Sequence, residues 1–252
     1  MPSLRRFIPS RARLLSAVWA GGLQILLVGS VWLTYELSRG AIDSSFATAA
    51  DHGLDVYSAE RSVGLDWEGP IQRALDLPVW HWVLTIVYMF AQEWGMPLAL
   101  IVLYWVHRGR YTMLRDVLLI SWMVAIPLHA LYPTAPPRLL SLGLEDWIEQ
   151  LLNLGRTTHG TIANPYAAIP SLHVGFAVAI GIALAGCVRH RALRALLLSW
   201  GPLIWLSTIA TGNHFVLDGV AGIAVVAAAW LAARRLPWHQ GEPEPRALPL
   251  RV

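Results

Sequence analysis

Three short segments of this chain hold the residue types that nucleophilic and acid–base chemistry require. The first is Thr211-Gly212-Asn213-His214-Phe215-Val216-Leu217-Asp218, in which an imidazole stands four residues ahead of a carboxylate. On a helix that spacing sets both groups on one face, one turn apart. Asn213 reads as the N-cap, with His214 in the first turn. A carboxylate bonded to one imidazole nitrogen fixes the tautomer and leaves the other nitrogen nucleophilic. The plain alternative is a polar pair that closes a helix junction. The second segment is Ile169-Pro170-Ser171-Leu172-His173-Val174-Gly175-Phe176. Pro and Ser directly before an apolar run mark a helix start, with Ser171 as its cap and His173 in its first turn. The third, Tyr132-Pro133-Thr134-Ala135-Pro136-Pro137-Arg138, is stiffened by prolines and offers a cation. A surface or headgroup arginine is its plain reading.

The elements that position these residues are those of a membrane protein. The chain has 252 residues, 56% hydrophobic and only 14% charged, against about 25% charged in soluble domains. Six apolar segments approach the roughly 20 residues of a membrane span: Leu14–Leu37, Val79–Val106, Val117–Tyr132, Leu172–Val188, Leu193–Thr211 and Phe215–Ala233. The first is too long for a signal peptide core and reads as a retained helix. All 19 basic residues are arginine, and 14 of them fall at the N-terminus, the C-terminal tail and two short loops. The other five, Arg39, Arg61, Arg73, Arg138 and Arg156, lie in the intervening segments. The positive-inside rule then places both termini in the cytoplasm and segments 40–78 and 133–170 outside. Part of 40–78, and Glu145–Leu152, are amphipathic and suit helices on the extracytoplasmic surface. The expected fold is all-α: a single six-helix membrane domain over residues 1–236, then a Pro-rich, disordered tail over 237–252.

Topology adds what spacing lacks. The fourth and sixth spans both start on the outer face, so His173 and His214 meet at one rim although 41 positions separate them. Paired helix N-termini favour an anion. A His-Asp-His set could bind zinc, but Arg138 beside it points to an anionic substrate, so no metal or cofactor is expected. The lone Cys187 rules out an internal disulfide and multi-cysteine metal sites. The small net charge of +3 gives no footprint for nucleic acid. His129 reads as a core histidine. Glu93 either lines a cavity or bonds a neighbouring helix. Arg156 and His159 stand in the outer loop and could reach substrate.

Ala135-Pro136-Pro137-Arg138, Asn164-Pro165-Tyr166-Ala167-Ala168-Ile169-Pro170-Ser171-Leu172-His173 and Gly212-Asn213-His214-Phe215-Val216-Leu217-Asp218-Gly219 together resemble motifs of the type 2 phosphatidic acid phosphatase superfamily. The likeness is greatest to the branch with inositol phosphorylceramide synthase and related bacterial membrane proteins, and it covers residues 40 to 235. The resemblance implies a metal-independent, two-step displacement at phosphorus. His214, oriented by Asp218, would form a phosphohistidine, and His173 would protonate the leaving oxygen and then deprotonate the incoming water or alcohol. Arg138, the Ser171 hydroxyl and backbone N–H groups would hold the phosphoryl oxygens, with Asn213, Tyr166, Asn164 and Arg156 as further contacts. A bacterial inner membrane is the implied location, with the site on its extracytoplasmic face.

The departures from the common phosphatase pattern concern cations. Leu131 stands at a usual Lys position, Leu139 follows Arg138 instead of Pro, Leu172 replaces a Gly, and Thr208 follows Ser207 where Arg is usual. Fewer cations suit a phosphodiester, with one charge, better than a monoester with nearly two. The expectation therefore leans to headgroup transfer from a phospholipid to an alcohol. The alternatives are a plain lipid phosphate phosphatase and, from another class, a non-catalytic lipid transporter or binding protein.

Overall fold

The structure, a computed structural model, describes residues 11–41, 45–152 and 165–239. Those residues are helical throughout, apart from loops and an isolated parallel bridge between Thr134 and Ala167. The long helices α1 (Arg11–Ala41), α6 (Arg108–Leu131), α8 (Leu172–Ala185) and α11 (Val216–Ala233) form the centre of the bundle. There α8 packs on α11, α11 on α6 and α6 on α1. A further apolar stretch is α9 (Arg191–Leu198) followed by α10 (Trp200–Ala210), which lies along α8. The second expected span is broken into α4 (Pro78–Phe90) and α5 (Met96–Val106), joined by a π turn over Ala91–Gly95 and bent by 41°. Pro97 has no N–H for the carbonyl four residues back, which loosens the ladder at that point.

Three helical stretches, Arg108–Leu131, Arg191–Ala210 and Val216–Ala233, are long and apolar enough to cross a bilayer, and the bent pair makes a fourth. Gly21–Thr34 and Leu172–Ala185 are apolar but shorter. Large apolar side chains such as Trp105, Met123, Leu131 and Leu231 are exposed, as lipid-facing residues are.

Two helices, α2 (Phe46–Val63) and α3 (Glu68–Ala74), fold over the end of the bundle where α8 and α11 begin. Ser45 caps α2 by accepting from Thr48 N at 3.1 Å, and Gly64 closes it in the left-handed conformation, φ 72°. Ala49, Gly53 and Val56 form its buried stripe. Gly53 matters because a Cβ there would stand 2.7 Å from the Ala135 carbonyl. The short α7 (Trp147–Leu152) follows the loop after α6, and Asp146 caps it by accepting from Ile148 N and Glu149 N.

Pro237–His239 form a 3-10 turn, and Trp238 and His239 both bond the Asp116 carboxylate of α6, at 2.7 and 2.8 Å. The remainder of the expected tail lies outside the described residues.

Candidate active site

The close approach of α8 and α11 builds the site. A Cβ on Gly175 of α8 would lie 2.6 Å from the Gly222 carbonyl of α11, and a Cβ on Gly222 would overlap the Ser171 carbonyl. The two backbones therefore touch, as small residues permit in membrane helices. Ser171 N donates to the Asp218 carbonyl at 2.9 Å, tying the start of one helix to the first turn of the other. His129, buried within α6, has Nε2 3.3 Å from the Pro170 carbonyl and steadies the same junction. That agrees with its reading as a core histidine.

His214 Nδ1 lies 3.2 Å from Asp218 Oδ2, with Asp218 wholly buried and His214 nearly so. The expected pairing is present, but its local geometry differs from the expectation. The helix starts at Val216 with Phe215 as N-cap, so His214 precedes it. Asp218 is the third helical residue, and Oδ2 accepts from Phe215 N at 2.9 Å as well as facing the imidazole. Asn213 is not a cap. Its Oδ1 accepts from Arg138 Nε at 3.0 Å, and its Nδ2 donates to Thr211 Oγ1 at 2.9 Å. Both Asn213 N and His214 N donate to the Thr208 carbonyl. Gly212, at φ 74°, makes the turn, and a Cβ there would crowd the Glu145 carbonyl at 2.9 Å.

His173 is half-buried in the first turn of α8, and its ring centroid is 5.6 Å from that of His214. Tyr88 of α4 also packs against it, at 5.0 Å between centroids. Ser171 is the N-cap residue, as expected, but makes no capping bond. Its Oγ is buried with no hydrogen-bond partner among the described residues.

Arg138 reaches the same region. Besides Asn213, its Nη1 bonds Asp146 Oδ2 at 3.3 Å, and both side chains are almost wholly buried. The one expected cation thus carries a counter-ion that sequence reasoning did not find. Gln72 of α3 supports this loop from below, donating to the Glu145 and Ala210 carbonyls and accepting from Glu145 N. Tyr166 serves through its backbone, accepting from Thr134 N, while its ring packs on Phe46. Glu93 lies in the π turn and is exposed. Asn164, Arg156 and His159 lie outside the described residues.

Two more residues were missed, Glu60 of α2 and Glu68 of α3. Both are buried and both bond the start of α11: Leu217 N to Glu60 Oε1 at 2.6 Å, Val216 N to Glu68 Oε1 at 3.1 Å. A signal for Glu60 exists in the sequence. It continues the buried stripe of Ala49, Gly53 and Val56, so an acid occupies the apolar face of an amphipathic helix. Glu68 carries no such sign.

Chemically, a carboxylate on Nδ1 sets the imidazole proton there and puts the lone pair on Nε2. A second imidazole alongside can give and take a proton. Such a pair serves nucleophilic transfer better than simple anion binding, which needs cations and donors but no nucleophile.

Residues 54–232 match the PAP2 superfamily, and the chain belongs to that family of membrane-associated lipid phosphatases and phosphotransferases. It is similar to phosphoinositol dihydroceramide synthase of Bacteroides thetaiotaomicron, with 26% identity over 174 residues. That match takes in 61% of this chain and 57% of the synthase, so somewhat over half of the relative's length is spanned. The fold is also that of the crystal structure of Aquifex aeolicus LpxE, at a TM-score of 0.52 and 17% identity, over 68% of this chain and 94% of the other.

Proposed function

We propose that this chain is an integral-membrane lipid phosphotransferase that works through a phosphohistidine at the extracytoplasmic face of a bacterial inner membrane. The observation that carries the reading is the buried His214–Asp218 pair with the His173 ring 5.6 Å from that of His214. His214 Nε2 attacks phosphorus, a P–N bond forms, and the P–O bond to the lipid alcohol breaks as His173 protonates the departing oxygen. An acceptor hydroxyl then gives its proton to His173 and attacks phosphorus, and the P–N bond breaks. Covalent catalysis divides the displacement into two easier steps. Ser171 Oγ, Arg138 and backbone N–H groups at the start of α8 steady the phosphoryl oxygens. No metal takes part in this scheme. Six spans place both termini in the cytoplasm, as the arginine distribution requires.

The leaning to a phosphodiester donor and an alcohol acceptor rests on charge. Arg138 is compensated by Asp146, so the site presents little net positive charge to a dianionic monoester. The likeness to a phosphoinositol dihydroceramide synthase agrees with transfer of a headgroup. The test incubates detergent-purified protein with lipid extracts, with and without added alcohol acceptors, and follows headgroup loss and exchange by mass spectrometry. Acceptor-dependent exchange is expected, and His214→Ala should lower it by at least about 10⁴-fold. Rapid hydrolysis of a lipid phosphomonoester without use of any phospholipid donor would make the chain a phosphatase. Undiminished turnover in His214→Ala would remove the nucleophile and with it the mechanism.

A further inference from the structure

Beneath the helix that follows His214 lie two carboxyl groups to which the mechanism above gives no role. Three consecutive donors at the N-cap and start of α11 each meet a different carboxyl group: Phe215 N bonds Asp218, Val216 N bonds Glu68 and Leu217 N bonds Glu60. Glu60 and Glu68 come from two separate helices, at 0% and 1% exposure. Glu60 Oε1 is used by Leu217 N, while Oε2 is buried with no hydrogen-bond partner among the described residues. Because Glu60 and Glu68 bond the consecutive donors Leu217 N and Val216 N, their carboxyl groups are held side by side. Two ionised carboxylates do not remain side by side away from water. A proton on Oε2, donated to Glu68, removes the repulsion and satisfies the orphaned oxygen in a single step.

We propose that Glu60 and Glu68 are positioning residues that hold one proton between them, and that the protonated pair fixes the first turn of α11 so that His214 stays against Asp218 and facing His173. The inference rests on the reading of His214 as the attacking residue. It adds a proton-dependent anchor on the two helices that cover the bundle.

The charged groups facing Glu60 are Glu68 from α3 and Asp218 from α11, both negative. Arg61, on the helix of Glu60 itself, turns instead over the Tyr57 ring at 5.9 Å. Burial, opposed in part by the Leu217 N–H, pushes the Glu60 carboxyl up to about 9, and burial raises Glu68 as well. The sign follows from linkage. Between the usual 4.5 and about 9 the folded protein keeps a proton that the unfolded chain has released. The contribution of Glu60 to stability is therefore full below the lower value, falls as pH rises across the window, and is gone above it. Above about 9 the pair carries two charges and the anchor loosens.

The experiment uses full-length protein in detergent, as wild type, Glu60→Gln, Glu60→Ala and His214→Ala. Values of kcat and KM are measured between about pH 6 and 10, and infrared spectra follow the C=O stretch of protonated carboxyl groups. Wild type should lose kcat on the alkaline side and show a buried carboxyl band that titrates over the same range. Glu60→Ala should lower kcat by about 10–100-fold with little change in KM, as expected for a misplaced nucleophile. Glu60→Gln keeps an acceptor for Leu217 N and a donor for Glu68. It should recover most of that loss, lack the infrared band, and hold its kcat at alkaline pH. A Glu60→Gln enzyme with the wild-type pH profile, or with the carboxyl band still present, overturns the proposal. These two readouts stand even if Glu60→Ala does not fold. An active His214→Ala enzyme would instead overturn the site reading, and the infrared band still decides whether the shared proton exists.

Discussion

The starts of α8 and α11 face each other across the site, yet they are built in opposite ways. At α11 three carboxyl groups from three helices take the donors of Phe215, Val216 and Leu217, and His214 is held by Asp218 and by the Thr208 carbonyl. At α8 the capping residue Ser171 makes no side-chain bond to the helix, and His173 is half-buried. At one end the protein itself saturates the backbone donors, and at the other, sparser end Ser171 Oγ is buried with no hydrogen-bond partner among the described residues. A nucleophile benefits from the first arrangement, because a near-attack geometry has to be fixed before substrate arrives. A phosphoryl group benefits from the second, because it brings acceptor oxygens that need donors.

The contrast can be broken, and the largest expected effect is at the saturated end. Asp218→Asn keeps the shape but removes the charge that sets the imidazole tautomer, and kcat should fall by about 10⁴-fold, measured by headgroup exchange. His173→Ala should cost about 10²–10⁴-fold with a natural lipid donor. With a nitrophenyl phosphodiester, whose leaving group needs no proton, the loss should shrink sharply. An equal loss with both substrates would show that His173 is not the acid. Arg138→Ala leaves the buried Asp146 carboxylate without its cation and should destabilise the protein by about 3–5 kcal/mol in thermal denaturation. The double variant Arg138→Ala/Asp146→Asn should recover part of that loss, which fixes how far Asp146 neutralises Arg138. Ser171→Ala removes one neutral donor and should lower kcat/KM by about tenfold or less. A far larger loss would mean that Ser171 takes part in the chemistry, and that the sparse end contributes to it as directly as the saturated one.

Much of the site was legible because its chemistry is local. His214 and Asp218 are four residues apart, Pro170 and Ser171 announce the start of α8, and their pairing needed only alternating helix directions. Yet the local reading succeeded at Asp218 for an incomplete reason. The expected helical face does not exist at His214, which lies before the helix, and the contact survives because Asp218 turns back across the N-cap. Asn213 shows the opposite outcome: a residue type suited to capping instead accepts from the buried Arg138 guanidinium. The broken second span was likewise hidden, since composition registers an apolar run and not the gap in hydrogen bonding around Pro97.

The sequence by itself therefore determined the membrane class, the three chemical segments and the side-chain pair four residues apart. These depend on hydropathy and on contacts within a few residues, which the chain order sets directly. Only the tertiary structure decided that Asp146 answers Arg138, that Gly175 and Gly222 let two backbones touch, and that Glu60 and Glu68 grip α11 from 157 and 148 residues away. A buried polar group must find a partner wherever packing brings one within reach, and no local spacing states which partner that will be.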